Sequence, residues 1–155
     1  MGFIFKIKKS DDMLFIKKTS IKLIIVSFLL LSGVNAQNND NMIKLKVNGH
    51  IFDVELENNP ATKELVKKLE TGNVSVNATD YGNFEKVGDL GFSLPANDEN
   101  IKTEPGDIVL YQKNQISVFY DSHSWSYTKL GKIQNASDLK EILGSGNTTL
   151  EFSLK

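Results

Sequence analysis

Apolar and polar residues alternate most cleanly between Ile43 and Leu56. Ile43, Leu45 and Val47 are separated by Lys44 and Lys46, and Phe52, Val54 and Leu56 by Asp53 and Glu55. A period of two is that of a strand with one buried face. Between the runs lies Asn48-Gly49, a pair suited to a type I′ turn because both central residues take positive φ. A two-residue loop pairs Val47 with His50, Leu45 with Phe52, Lys44 with Asp53 and Ile43 with Val54. That register gathers the apolar side chains on one face and sets opposite charges across the other. His50 reads as a strand residue beside the turn.

The spacing then changes. Asn59-Pro60 opens a helix, with Asn as N-cap and Pro at the first helical position, where its missing N–H costs nothing. Ala61, Leu65 and Leu69 share one face, Lys67 and Lys68 suit the C-terminal end of the helix dipole, and Gly72 is the stop. Val74–Ala78 is predicted as a short strand. Thr79–Asn100 is expected to be irregular, punctuated by Gly82, Gly88, Gly91 and Pro95. Ile108–Tyr111 and Ile116–Tyr120 form a second hairpin around Lys113-Asn114, and Tyr127–Ile133 supplies the next strand. Asn135 with Asp138 three residues on reads as a cap for a short helix carrying Leu139, Ile142 and Leu143. Gly144-Ser145-Gly146 ends that helix, and Thr148–Leu154 is the last strand. The fold class is mainly β, and many short strands with two short helices predict a closed β-barrel with helical caps.

Ahead of these elements, Lys17, Lys18 and Lys22 flank or enter the apolar run Leu23–Leu31, broken only by Ser27. Val34-Asn35-Ala36 places small residues at the −3 and −1 positions of a signal-peptidase site. Residues 1–36 therefore read as a secretory signal peptide, with Met13 as a possible start, and residues 37–155 as the mature domain. The apolar run is too short for a membrane-spanning helix, which needs roughly 20 apolar residues. No membrane span is expected after cleavage, and the expected location is secreted or periplasmic. The mature chain suffices for one domain, expected to be monomeric. It carries 12 lysines against 17 acidic residues, a formal net charge of −5. That balance disfavours nucleic acid as a partner, because such binding depends on cations that neutralise phosphates. There is no cysteine, so an ordinary hydrophobic core must hold an exported domain together.

The order of elements resembles the bacterial cyclophilin-like fold family. The resemblance is carried by Ile43–Val54 with its Asn-Gly turn, Asn59-Pro60-Ala61, Gly91-Phe92-Ser93-Leu94-Pro95 and Pro105-Gly106-Asp107-Ile108. Tyr127–Ile133 and Gly144–Phe152 complete it. It implies a cyclophilin-like barrel over nearly all of the mature chain, in a family described by fold and not by an established reaction. Cyclophilins that isomerise prolyl bonds use an arginine that donates to the prolyl nitrogen as the amide twists. This chain has 18 lysines and no arginine, and a lysine does not supply the planar, always-charged fork of guanidinium. The catalytic role therefore transfers to no position. Non-catalytic binding of a peptide or small ligand is the expectation, and a weak isomerase lacking the arginine is the alternative.

Other chemistry finds little support in the residues. Asp121-Ser122-His123-Ser124 contains the letters of a hydrolase triad, but four consecutive residues read better as a polar turn. Two distant histidines and no cysteine predict no metal site, and no cofactor motif is present. The aromatics Tyr81, Phe84, Phe92, Phe119, Tyr120, Trp125 and Tyr127 remain. Alternation sends Phe119 and Tyr120 to opposite faces, and Phe92 and Phe119 are expected in the core. Tyr81, Trp125 and Tyr127, in or beside loops, together with an exposed His123, form the expected ligand-binding set. Aromatics there offer contact area and a polar handle. The competing reading is a loop packed down by its own rings.

Overall fold

In the computed structural model, which describes residues 41–155, β1 (Met42–Val47) and β2 (His50–Leu56) pair in the register the alternation predicts. Asn48 and Gly49 take φ of 46° and 82°. Lys44 Nζ donates to Asp53 Oδ1 at 2.6 Å across the polar face, and that bond holds the Asp53 carboxyl below its usual range. The leader, the cleavage site and the Met13 start lie outside the described residues.

Helix α1 (Pro60–Glu70) starts at Asn59 as expected and buries Ala61, Leu65 and Leu69. Its cap is reciprocal: Thr62 N donates to Asn59 Oδ1 at 3.0 Å and Asn59 N donates to Thr62 Oγ1 at 3.2 Å. Asn59 Nδ2 also donates to the Lys129 carbonyl at 2.7 Å, so the residue that starts the helix ties it to the barrel.

The remaining elements are β3 (Val74–Tyr81), β4 (Glu85–Asp89), β5 (Glu99–Lys102), β6 (Asp107–Tyr111), β7 (Gln115–Phe119), β8 (Ser124–Ile133), α2 (Leu139–Leu143) and β9 (Thr148–Leu154). The strands run in the order β2-β1-β9-β3-β4-β7-β6-β8, and β8 pairs back to β2 to close an eight-stranded barrel. All pairings are antiparallel. The ninth strand, β5, adds to the N-terminal half of β8.

Three expectations are corrected here. Thr79–Asn100 is not irregular throughout: β3 runs on to Tyr81, β4 follows after a tight turn, and β5 begins at Glu99. Strand β4 escapes pattern reading because its buried positions include Glu85, Lys86 and Gly88, so no apolar alternation marks it. Asn135 is not the N-cap of α2. It sits at φ 58° in the preceding turn, a conformation Asn tolerates, and Asp138 precedes the helix with no side-chain cap bond. Finally, β8 begins at Ser124, so Trp125 and Tyr127 belong to a strand and not to a loop.

Apolar side chains from seven of the eight barrel strands, all but β4, fill the interior, among them Leu45, Val54, Val76, Ile108, Ile116, Leu130 and Phe152, with Leu65 of α1 and Leu139 of α2 completing it. Closure depends on local geometry in β8. Ile108 pairs with Gly131 but Val109 pairs with Lys129, so Leu130 is an extra residue and the strand bends there, as bulges cause. At Gly131 a Cβ would lie 2.5 Å from the Glu55 carbonyl oxygen. Only glycine lets β8 approach β2 that closely.

Lys86 is fully buried on the interior side of β4. Its Nζ reaches Asp80 Oδ1 at 2.8 Å and the Gly146 carbonyl at 2.6 Å. Asp80 also accepts from Tyr120 Oη at 3.0 Å and from Gly146 N at 2.7 Å. The bond to Lys86 keeps the Asp80 carboxyl below its usual range, while burial, with Asp80 second, pushes the Tyr120 phenol up to about 12. This network ties β3, β4 and the turn before β9 together.

Two consequences follow for stability. Asp80→Asn leaves a buried ammonium without its counter-charge and is expected to cost about 3 kcal/mol in urea unfolding. Because the carboxyl is depressed in the fold, its contribution is complete above the ordinary Asp range and fades as pH falls through the lowered value. The deficit of Asp80→Asn relative to wild type should therefore shrink in acid. Gly131→Ala should cost about 1–3 kcal/mol by forcing β2 and β8 apart.

Candidate functional site

Strand residues alternate between the two faces of the barrel wall. Ile108, Leu110, Ile116 and Val118 point inward, so Val109, Tyr111, Ser117 and Phe119 point out. These outward residues are not all solvated: Val109, Phe119 and Tyr127 are buried in a second cluster, with Phe84, Ile101 and Tyr111 packed against it. Phe119 is therefore buried as expected, but in this outer cluster and not in the barrel interior. Tyr120 packs on the opposite face, as alternation requires. Phe92 is only half-buried at the rim of the main core, with Lys68 Nζ 5.2 Å from its ring centroid.

The outer cluster floors a pocket of about 720 Å³, within the usual range for small-ligand sites. Glu85 and Val87 enter from β4, Tyr111 from β6, Gln115 and Ser117 from β7, and Trp125 and Tyr127 from β8. The β3–β4 turn adds Tyr81, Gly82 and Phe84, and the segment before β8 adds His123. All four residues that the sequence singles out, Tyr81, His123, Trp125 and Tyr127, line this one space.

Their settings differ. Tyr81 and Trp125 are 63% and 56% exposed and stand at the rim. Tyr127 is only 5% exposed and belongs to the floor, its ring edge-on to Phe119 at 5.6 Å and to Tyr111 at 6.0 Å. Burial first, and the Glu85 charge second, raises its phenol to about 12. His123 is half-buried, not exposed, because its ring stacks on Phe84 with centroids 4.1 Å apart. Its backbone is pinned by buried Thr103, whose Oγ1 donates to the His123 carbonyl and accepts from its N–H, both at 3.0 Å.

Phe84 is the hinge of this wall. It stacks parallel to Phe119 at 6.1 Å as well as on His123, and meets Tyr81 edge-on at 6.0 Å. It folds back over Gly82, where φ is 59° and a Cβ would lie 2.1 Å from the Phe84 ring. Asp121–His123 connect β7 to β8, whose first residue is Ser124, and Ser122 N donates to Asp121 Oδ1 at 2.7 Å.

The residue that sequence reasoning missed is Glu85. It is 6% exposed, and its Oε2 has no hydrogen-bond partner. Burial raises its pKa, against a smaller opposing effect from the Ser117 hydroxyl and a charge interaction with His123. A carboxyl so placed is costly to ionise and is a strong acceptor waiting for a donor. Its strand lay inside the stretch expected to be irregular, and nothing in the pattern marks one Glu of a charged sequence as buried. Among the described residues, no group of three or more His, Asp or Glu could hold a metal ion.

The Glu85 setting has a measurable cost. Its raised pKa means the fold binds that proton more tightly than the unfolded chain does. The carboxyl is harmless to stability below the ordinary Glu range of about 4.3, and it becomes a liability as pH rises through the raised value. Glu85→Met is accordingly expected to exceed wild type by about 1–2 kcal/mol near neutral pH. The gain should shrink toward about pH 4. Urea unfolding at the two pH values checks this.

Comparison with known proteins agrees with this architecture. A comparison with curated proteins finds no match. The solution structure of the hypothetical protein AF2241 from Archaeoglobus fulgidus is similar, with a TM-score of 0.56 at 12% identity. The match covers 79% of this chain and 100% of that one, and at that identity it speaks to the fold alone. A family model described as the cyclophilin-like family matches residues 45–153. With its closed barrel and that match across most of the described residues, the chain belongs to the cyclophilin-like family.

Proposed function

We propose that this is an exported cyclophilin-like protein that binds a peptide or small-molecule ligand, without catalysis, in the pocket on the outer face of β4, β7, β6 and β8. The observation that carries the reading is the pocket itself: a concave aromatic surface of about 720 Å³ with a few polar groups at its floor. That combination is the usual form of a small-ligand site. Export rests on the leader pattern in residues 1–36, and N-terminal sequencing of the exported protein is expected to begin at Gln37.

A non-catalytic role is favoured by what lines the pocket. Its polar side chains are Tyr, Gln, Ser, His, Trp and Glu, with no lysine among them, and the chain has no arginine. A twisting prolyl amide would find no permanently charged donor there to weaken a barrier of about 18–20 kcal/mol.

NMR with X-Pro peptides and a panel of cationic, neutral and anionic fragments tests both parts. Shifts that saturate, without cis–trans exchange peaks, are the expected result. Exchange peaks at catalytic protein concentrations would make the protein an arginine-free isomerase and reject the non-catalytic reading. Trp125→Ala is expected to abolish binding while changing stability by no more than about 0.5 kcal/mol, because the side chain is largely exposed. Tyr127 belongs to the packed floor, so Tyr127→Phe is the informative change there. Unaltered affinity in Trp125→Ala would place binding elsewhere.

A further inference from the structure

Glu85 narrows what the pocket can accept, an inference that rests on the binding role proposed above. Its Oε2 is buried and without a hydrogen-bond partner at the floor, no lysine or arginine lines the pocket, and His123, the one basic side chain on the wall, makes no hydrogen bond to it. Lys86, next in sequence, points to the opposite face and is consumed by Asp80 and Gly146. An anionic ligand would meet the Glu85 carboxyl and no permanently charged cation. A neutral N–H or O–H donor would bond Oε2 but bring no charge to offset that of the carboxylate. A cation with an N–H satisfies both needs through a charge-assisted hydrogen bond.

The walls favour the same ligand. Tyr127 in the floor, Tyr111 packed beside it and Trp125 at the rim line the pocket with aromatic rings, whose faces attract a desolvated cation through their quadrupoles. A quaternary ammonium would gain from the rings but leave the Glu85 oxygen without a donor. The volume exceeds what an ammonium head alone would fill, so room remains for an apolar body.

We propose that the pocket takes a ligand whose buried end is a protonated amine, its N–H directed at Glu85 Oε2 and its charge held among Tyr111, Trp125 and Tyr127. The amine comes either from a small free amine or from a lysine side chain of a peptide. These two sources share the chemistry and differ in what lies outside the pocket.

Calorimetric or NMR titration of the full mature protein separates them. One arm compares phenethylammonium with 2-phenylethanol. The other compares Nα-acetyl-lysine methylamide with its Nε-acetylated form. The charged member of at least one pair is expected to bind about tenfold or more tightly than its neutral counterpart, and the pair with the larger ratio identifies the source. In Glu85→Gln that ratio should collapse while affinity for the neutral member is kept, and an unchanged amide spectrum verifies the fold. Equal affinities within both pairs overturn the amine assignment, as does a ratio that survives Glu85→Gln. If neutral or anionic fragments bind and lose affinity in Trp125→Ala while amines do not, the amine assignment falls and the binding pocket stands. If no fragment or peptide binds, both fall together.

Discussion

Strand β8 carries two duties, and the rest of the molecule depends on how its ten residues divide them. Its C-terminal half pairs with β6 on one edge and with β2 on the other, which makes a sheet into a barrel. That closure is possible because Leu130 is an inserted residue and Gly131 has no side chain to strike the Glu55 carbonyl. The N-terminal half, freed from β2, pairs with β5 and carries Trp125 and Tyr127 along the outside of the wall. The bend that closes the barrel thus also aims the pocket's aromatic side chains. A barrel removes exposed strand edges; here the remaining edge of β8 is covered by β5.

Strand β4 shows how one segment manages two buried charges in opposite ways. Lys86 turns inward and is fully partnered by Asp80 and the Gly146 carbonyl. Glu85 turns outward into the aromatic cluster and lacks a partner on one oxygen. Burying a charge is costly unless it is paired. The inner charge is resolved within the fold, where it ties β3, β4 and the turn before β9. The outer one has no partner for one oxygen and braces nothing through it. Proteins keep such locally unfavourable groups chiefly where function requires them.

Much of the scaffold was legible in advance. The Asn48-Gly49 turn, the register of β1 against β2, the Asn59 cap and the last strand all follow from short-range pattern and turn chemistry, which act within a few residues. The family resemblance placed those elements in a barrel, and the four residues chosen for the site do line one pocket. What failed was any element whose pattern is spoiled by buried polar groups. Strand β4 has Glu85, Lys86 and Gly88 at buried positions; separately, α2 begins at Leu139, four residues after the Asn135 cap that its sequence suggests. The exposure assigned to His123 was also wrong, because its stacking partner Phe84 lies 39 residues away along the chain.

Local sequence by itself determined the strands with one apolar face, the main helix with its cap, and the absence of any arginine on which isomerase chemistry would rely. These are properties of period, turn conformation and composition, and need no knowledge of what lies across the sheet. Tertiary structure alone decided which face of the barrel wall carries the pocket, that Tyr127 is floor and Trp125 is rim, and that Glu85 is buried without a full set of partners. The reason is that burial and hydrogen-bond satisfaction are set by neighbours from distant strands. Glu85 pairs with Tyr81 of β3 and Phe119 of β7 and interacts with Ser117, His123 and Tyr127, residues that only the pairing of strands across the sheet brings to it.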